Sequence, residues 1–162
     1  MRLTVRSVIS SAACLGFSSF LIGAAFAQSD PQVGIWKLDL AKSKYSPGPG
    51  PKSGTTKIEA VGAGTKVSVD QTLADGTARR WEFTANYDGN DSPVTGNNPD
   101  ADTVARTRLD ANTVQTVAKK GGKVTTTQTS AVSSDGKTRT VTTKGVNASG
   151  QQVNNVAVYE KQ

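Results

Sequence analysis

Turn-forming pairs punctuate this chain at short intervals, and no segment between them sustains a helical period. Asp75-Gly76, Asp88-Gly89 and Asp135-Gly136 recur alongside Gly62-Ala63-Gly64, Gly121-Gly122 and Ser149-Gly150. Asp-Gly supplies the positive backbone angles that a tight hairpin turn demands, so each such pair flanked by alternating residues predicts a hairpin. From Ala111-Asn112 onward the turns fall about ten to fourteen residues apart, the spacing of successive hairpins in an up-and-down meander. The expected strands cover 33–40, 55–61, 65–73, 78–87, 103–110, 113–119, 123–133 and 138–144, with a closing strand from about 151. A polar loop is expected over 88–102, with at most a short strand at 92–95. The total is about nine strands, within a range of eight to ten.

The sharpest alternation lies in 80–87, where Trp81, Phe83, Ala85 and Tyr87 make one apolar face and Glu82 points to the other. In the first strand Trp36, Leu38 and Leu40 share a face, with Lys37 and Asp39 opposite. A first strand and a last strand able to pair would close the sheet and remove its exposed edges. Strands such as Thr125-Thr126-Thr127-Gln128-Thr129 place Thr on both faces. A two-sheet sandwich wants one fully apolar face, whereas a barrel with a partly polar interior tolerates mixed ones. The fold class expected is all-β, an antiparallel up-and-down barrel.

Residues 1–27 read as a cleavable export signal. Arg2 and Arg6 precede an apolar run, and Ala25-Phe26-Ala27 is a small-x-small pattern that places cleavage before Gln28. Cys14 reads as an ordinary residue of that leader. Residues 28–162 then form a single domain, with no later apolar run long enough to span a bilayer. The expected location is outside the cytoplasm, periplasmic or extracellular.

Beyond residue 27 the chain has no Cys, His or Met. That removes disulfides, thiolate nucleophiles, imidazole bases and the usual haem or zinc ligands. Seventeen basic residues stand against thirteen acidic ones, a mildly basic balance. The only basic clusters, Arg79-Arg80-Trp81 and Lys119-Lys120 with Lys123, read as solvated turn and strand charges and not as a nucleic-acid surface. Leu, Ile, Val and Phe supply only 22 residues after the leader, so the core is thin. Low net charge and regular turns still favour a folded chain.

Two loops draw notice. Residues 42–54 carry Pro47, Pro49 and Pro51 alternating with glycines, which excludes helix or ladder. The stretch reads as a connector, with a flap over one barrel end as the alternative. The loop 88–102 gathers oxygen ligands of the kind calcium prefers, but an EF-hand register from Asp88 lacks the position-six Gly and puts Pro99 where a bidentate Glu belongs. No metal and no cofactor are expected. No pair of carboxylates is placed for acid–base work, so no catalytic residue is assigned and the chain does not read as an enzyme.

Gly34-Ile35-Trp36-Lys37-Leu38 resembles the opening of the calycin superfamily, the lipocalins and intracellular fatty-acid-binding proteins. Val158-Tyr159-Glu160-Lys161 resembles the last strand of the latter. With Trp81 to Gly89 and Asn154-Asn155-Val156, the chain further resembles short exported bacterial lipocalin-like proteins. The resemblance implies a barrel whose base is closed by Gly34 and Trp36. Fatty-acid-binding proteins carry Arg-x-Tyr on the last strand to grip a carboxylate, but here Ala157 stands at the Arg position before Tyr159. Arg80, Arg106, Arg108 and Arg139 are candidate substitutes whose facing the sequence leaves open.

The reading that follows is a non-catalytic carrier of a small apolar molecule, with Trp81, Phe83, Tyr87 and Tyr159 as candidate barrel lining. The alternative is a protein-binding module, such as an inhibitor of a periplasmic hydrolase or protease. It would act through the loop 45–53, which Tyr45 opens and Ser53 closes, or through residues 28–32. A structural or stress factor of the envelope with neither property is the third option.

Overall fold

The structure, a computed structural model, describes residues 30–162; the expected leader 1–27, with Cys14, lies outside them. The ten elements are all strands: β1 (Gly34–Lys44), β2 (Ser53–Val61), β3 (Gly64–Thr72), β4 (Ala78–Asn86), β5 (Asp88–Gly96), β6 (Thr103–Arg108), β7 (Thr113–Lys120), β8 (Lys123–Val132), β9 (Thr138–Val146) and β10 (Gln152–Lys161). Each pairs antiparallel with its neighbours in sequence, and β10 returns to β1, so the sheet is a closed up-and-down barrel. β1 sits between its two partners with Trp36 opposite Lys161 and Leu38 opposite Tyr159 on one side. On the other side Gly34 lies opposite Ile58 and Trp36 opposite Thr56.

The strand beyond the expected nine is β5. Asp88-Gly89 does not make the tight turn expected of it, because the chain reverses at Tyr87 and Asp88 already opens a strand. The positive φ of Gly89, 77°, falls in the register shift between Asp88 and Asp91, where β5 bulges against β6. On its other edge β5 pairs with β4 only at Trp81–Gly96, Glu82–Thr95 and Phe83–Val94. Val94 N donates to Asp102 O across β6 at 2.9 Å, and Asn97 N to Arg80 O on the β4 side at 2.7 Å. By alternation the nitrogen of Pro93 faces Thr84, and proline has no hydrogen to donate. The ladder stops there for that reason.

Leu40 does not share the buried face of Trp36 and Leu38; it is 44% exposed. The register between β1 and β10 jumps from Asp39–Val158 to Lys44–Val156, so β1 loops out between them. Asp39 Oδ1 accepts from the nitrogens of Ala41 (3.0 Å) and Lys42 (3.2 Å), a local turn that rotates Leu40 outward. Ser43 Oγ accepts from Val158 N at 2.9 Å and donates to Asp39 O at 2.6 Å, replacing the acceptor that the ladder loses.

The base is closed by the segment ahead of β1. Trp36 is fully buried, and its Nε1 donates to Gln32 O at 2.9 Å. Gln32 is equally buried: its Nε2 donates to Asn112 O (2.8 Å) and Ser130 O (3.1 Å), and its Oε1 accepts from Ser130 Oγ (2.9 Å). Gly34 has φ of 146°, and a Cβ there would press on Lys161 Cε at 2.6 Å, the side chain whose Nζ lies 5.1 Å from the Trp36 ring. The Gly-x-Trp spacing is thus a backbone requirement combined with a plug.

If Ser43 supplies the missing acceptor, Ser43→Ala lowers stability by about 1–3 kcal/mol in urea unfolding, the cost of an unpaired N–H. Leu40→Ser, at a side chain turned to solvent, changes it by less than about 0.5 kcal/mol. Equal effects at the two positions would contradict the outward loop.

Candidate ligand cavity

Above the base the barrel encloses a cavity of about 600 Å³ that opens between the β1–β2 loop and the turns at that end. This is the size of a small-molecule site. Strand alternation delivers Trp81 and Phe83 from β4, Val67 and Val69 from β3, and Ala157 and Tyr159 from β10 into its wall. Thr116, Thr126, Gln128 and Thr143 share the interior, the mixed lining that threonine-rich strands produce. A separate depression of about 510 Å³ lies on the outer surface of β2–β4 around the exposed Asp70–Arg80 ion pair and has no aromatic wall.

Of the four aromatic residues expected to line the barrel, Trp81, Phe83 and Tyr159 reach the cavity and Tyr87 does not. Tyr87 belongs to the base. Its hydroxyl donates to Asp30 Oδ2 at 2.6 Å, and Arg108 Nη2 donates to the same oxygen at 2.6 Å. The guanidinium of Arg108 also stacks 4.1 Å from the Tyr87 ring. Burial pushes the Asp30 carboxyl upward, but the bonds from Tyr87, Gln32 N and Arg108 outweigh it and hold the group below its usual value. Residues 30–32 are therefore docked into the barrel end, not a free tail.

The structure places each of the four candidate arginines, and Arg79, the fifth among the described residues, borders the cavity at its mouth. Arg80 faces solvent beside Asp70, and Arg108 is held by Asp30. Arg106 and Arg139 line the cavity, 2% and 8% exposed. Among the described residues neither takes part in an ion pair. Arg139 Nε donates to Ser130 Oγ (2.7 Å) and Gln32 Oε1 (3.3 Å), both neutral acceptors. It is the cross-strand partner of Tyr159, with the guanidinium 5.6 Å from that ring. Arg106 bonds Thr65 Oγ1 and lies 4.9 Å from the Tyr87 ring and 5.9 Å from Phe83, while its Nε has no partner among the described residues. Burial lowers the pKa of both, that of Arg139 to about 10; a guanidinium keeps its proton in proteins at neutral pH. Alternation along β6 and β9 placed these side chains inward, but the short spans between turns do not reveal which face of a polar strand is inner.

The stretch 45–51 is a flap and not a plain connector. Tyr45, Gly50 and Pro51 are half-buried, line the mouth of the cavity, and leave Ser46 to Pro49 exposed above it. Ser46 anchors it to β10: its N donates to Asn155 Oδ1, and its O accepts from Asn154 N, each at 2.8 Å. Tyr45 packs on the core, where burial raises its phenol to about 12. In the loop region 88–102 the carboxylates hold neighbouring groups: Asp91 pairs with Lys119, and Asp102 accepts from Gly121 N. Glu82 faces outward to Lys66.

Two measurements check this arrangement. A carboxylate with a depressed folded pKa adds stability that is complete above its unfolded value of about 3.8 and is lost as pH falls through the folded one. Asp30→Asn should therefore cost about 1–3 kcal/mol at neutral pH, and the variant should lose less stability than the parent between about pH 5 and pH 2. Arg106→Met in ligand-stripped protein should be neutral or stabilising by up to about 2 kcal/mol, since it removes an unpaired buried charge, whereas Arg108→Met strands Asp30 and destabilises. A loss above about 2 kcal/mol for Arg106→Met would mean that its charge is satisfied.

No family model matches this chain, and no curated protein matches it. Among solved structures it is similar to the zebrafish ileal bile acid-binding protein complexed with cholic acid, at 12% identity, over 82% of this chain and 99% of that one, with a TM-score of 0.44.

Proposed function

We propose that this chain is an exported, non-catalytic binding protein that holds one small, largely apolar molecule inside its barrel. The observation that carries the reading is the interior cavity of about 600 Å³, open at one end, with Trp81, Phe83 and Tyr159 in its wall and the 45–51 flap at its mouth. Apolar area buried against such a wall drives binding at about 25 cal/mol per Å² before the costs of ordering the partners. The base is sealed by Trp36 and Gln32, so access is from the flap end. The export signal read in residues 1–27 supports a carrier outside the cytoplasm, in the periplasm or the medium.

The test uses N-phenyl-1-naphthylamine, a neutral probe that fluoresces in apolar surroundings, together with native mass spectrometry of protein purified from its own envelope. One probe per chain and a retained small molecule are expected, and Trp81→Ala should weaken probe binding by about tenfold, or ~1.4 kcal/mol. No uptake by the parent protein, or unchanged uptake by a folded Trp81→Ala variant, would remove the interior assignment. A co-purified hydrolase without a small molecule would favour the protein-binding alternative.

A further inference from the structure

The carrier reading leaves open what polar group its ligand bears, and the cavity floor speaks to that. Arg106 and Arg139 both line the cavity. Each is placed at its lower end: Arg139 by its bonds to Gln32 and Ser130 of the base, Arg106 by its bond to Thr65 and its stacking on Tyr87. Above them β3 and β4 present an apolar side with Val67, Val69 and Trp81, while β8 and β9 keep a polar one with Thr126, Gln128 and Thr143. The carboxylates that also border the cavity, Asp75 and Asp100, belong to the β3–β4 turn and the β5–β6 loop at the mouth, the opposite end.

Two guanidiniums that share a floor repel one another, and each loses hydration worth several kcal/mol on burial unless an opposite charge compensates it. Asp30 pairs directly with Arg108 and acts on Arg106 only through space, without an ion-pair contact. The Nε of Arg106 is buried with no acceptor among the described residues, so the protein's own groups leave this guanidinium incompletely bonded; the planar fork of a guanidinium suits an oxyanion. Beside Arg139, Tyr159 keeps its proton because burial raises its pKa, so its hydroxyl can donate.

We propose, resting on the carrier reading, that the ligand is an amphiphile whose head is an oxyanion, seated on the floor between Arg106 and Arg139 with its tail running up towards Trp81 and the flap. The seat is built from β6 and β9. The last strand, where Ala157 stands, contributes Tyr159 and no guanidinium. A carboxylate and a phosphate monoester share this chemistry; a phosphate would bring the charge that both cations lack.

Calorimetric titration of the purified, ligand-stripped full chain with four C12 amphiphiles decides the matter: dodecanoate, dodecyl phosphate, dodecanol and dodecyltrimethylammonium. The expected result is that at least one anion binds tenfold or more tightly than dodecanol, with the ammonium weakest. Preference between dodecanoate and dodecyl phosphate tells a carboxylate ligand from a phosphorylated one. In Arg106→Met the anion's advantage should shrink to about twofold while dodecanol binds as before. Arg106→Lys, which keeps the charge without the fork, should fall between. Equal binding of anions and dodecanol by the parent chain overturns the anion seat and leaves the carrier reading standing. An advantage that persists in both Arg106→Met and Arg139→Met overturns the seat as well. Binding of none of the four overturns both.

Discussion

The backbone ladder between the first and last strands is the constraint on which the barrel rests. With only 22 Leu, Ile, Val and Phe in residues 28–162, apolar burial is scant, and an open sheet of this length would leave two rows of unpaired peptide groups. Pairing Trp36 with Lys161 and Leu38 with Tyr159 removes both rows at once. It also fixes where the barrel is stiff. The lower half of β1 is paired on both sides, whereas from Leu40 to Lys44 it has no partner in β2 and holds β10 through Ser43 and Lys44. The flap begins at the next residue. Breaks in the ladder fall at the mouth end of β1 and between β4 and β5, whose pairing stops at Phe83–Val94 and does not resume towards the base, where β5 bulges against β6. Across that end the Trp36–Gln32 bond and the Asp30–Tyr87–Arg108 cluster supply side-chain ties that the β4–β5 ladder does not.

Polar groups inside the barrel divide into two kinds. Gln32 and Ser130 satisfy one another and nearby carbonyls, which specifies the base without leaving a charge uncovered. Arg106 and Arg139 do not reach that condition with the protein's own groups: one has an unpaired N–H, and the other meets only neutral oxygens. Their neighbour in sequence, Arg108, shows the contrast, since the chain brings it a carboxylate from 78 residues away. A fold that places an acid in contact with Arg108 gives Arg106 and Arg139 no carboxylate in ion-pair contact among the described residues.

Much of this was legible in the sequence, and the failures have identifiable causes. The turns at Asp75-Gly76 and Asp135-Gly136, the inward face of Trp81 and Phe83, and the meeting of the two end strands follow from local rules of twist and alternation. Leu40 escaped because alternation assumes an unbroken ladder, and Asp39 and Ser43 break it with side-chain bonds that mimic the backbone. β5 escaped because Gly89, Asn90 and Pro93 look like loop chemistry; a strand in mid-sheet can carry them when one edge is bulged and the other is released at proline. The inner arginines were named but could not be oriented. On a strand of Thr, Lys and Arg, hydrophobic alternation carries no sign, and only the register of neighbouring strands supplies it. Asn155 was visible only as part of a recurring motif, and its task of anchoring the flap at Ser46 depends on a contact 109 residues distant.

The cost of the charged floor and the affinity for an occupant are two sides of one equilibrium. A molecule that meets the folded barrel and not the unfolded chain adds RT ln(1 + [L]/Kd) to stability, about 2.7 kcal/mol at a hundredfold excess over Kd. A buried guanidinium without an opposite charge carries a penalty of several kcal/mol, which is of the same order. In the proposed carrier, an occupant bearing the complementary charge converts part of that penalty into binding free energy. An apolar floor would make a more stable barrel with less power to discriminate between ligand heads. In the proposed carrier, selectivity between ligand heads comes from what the folded protein leaves uncompensated.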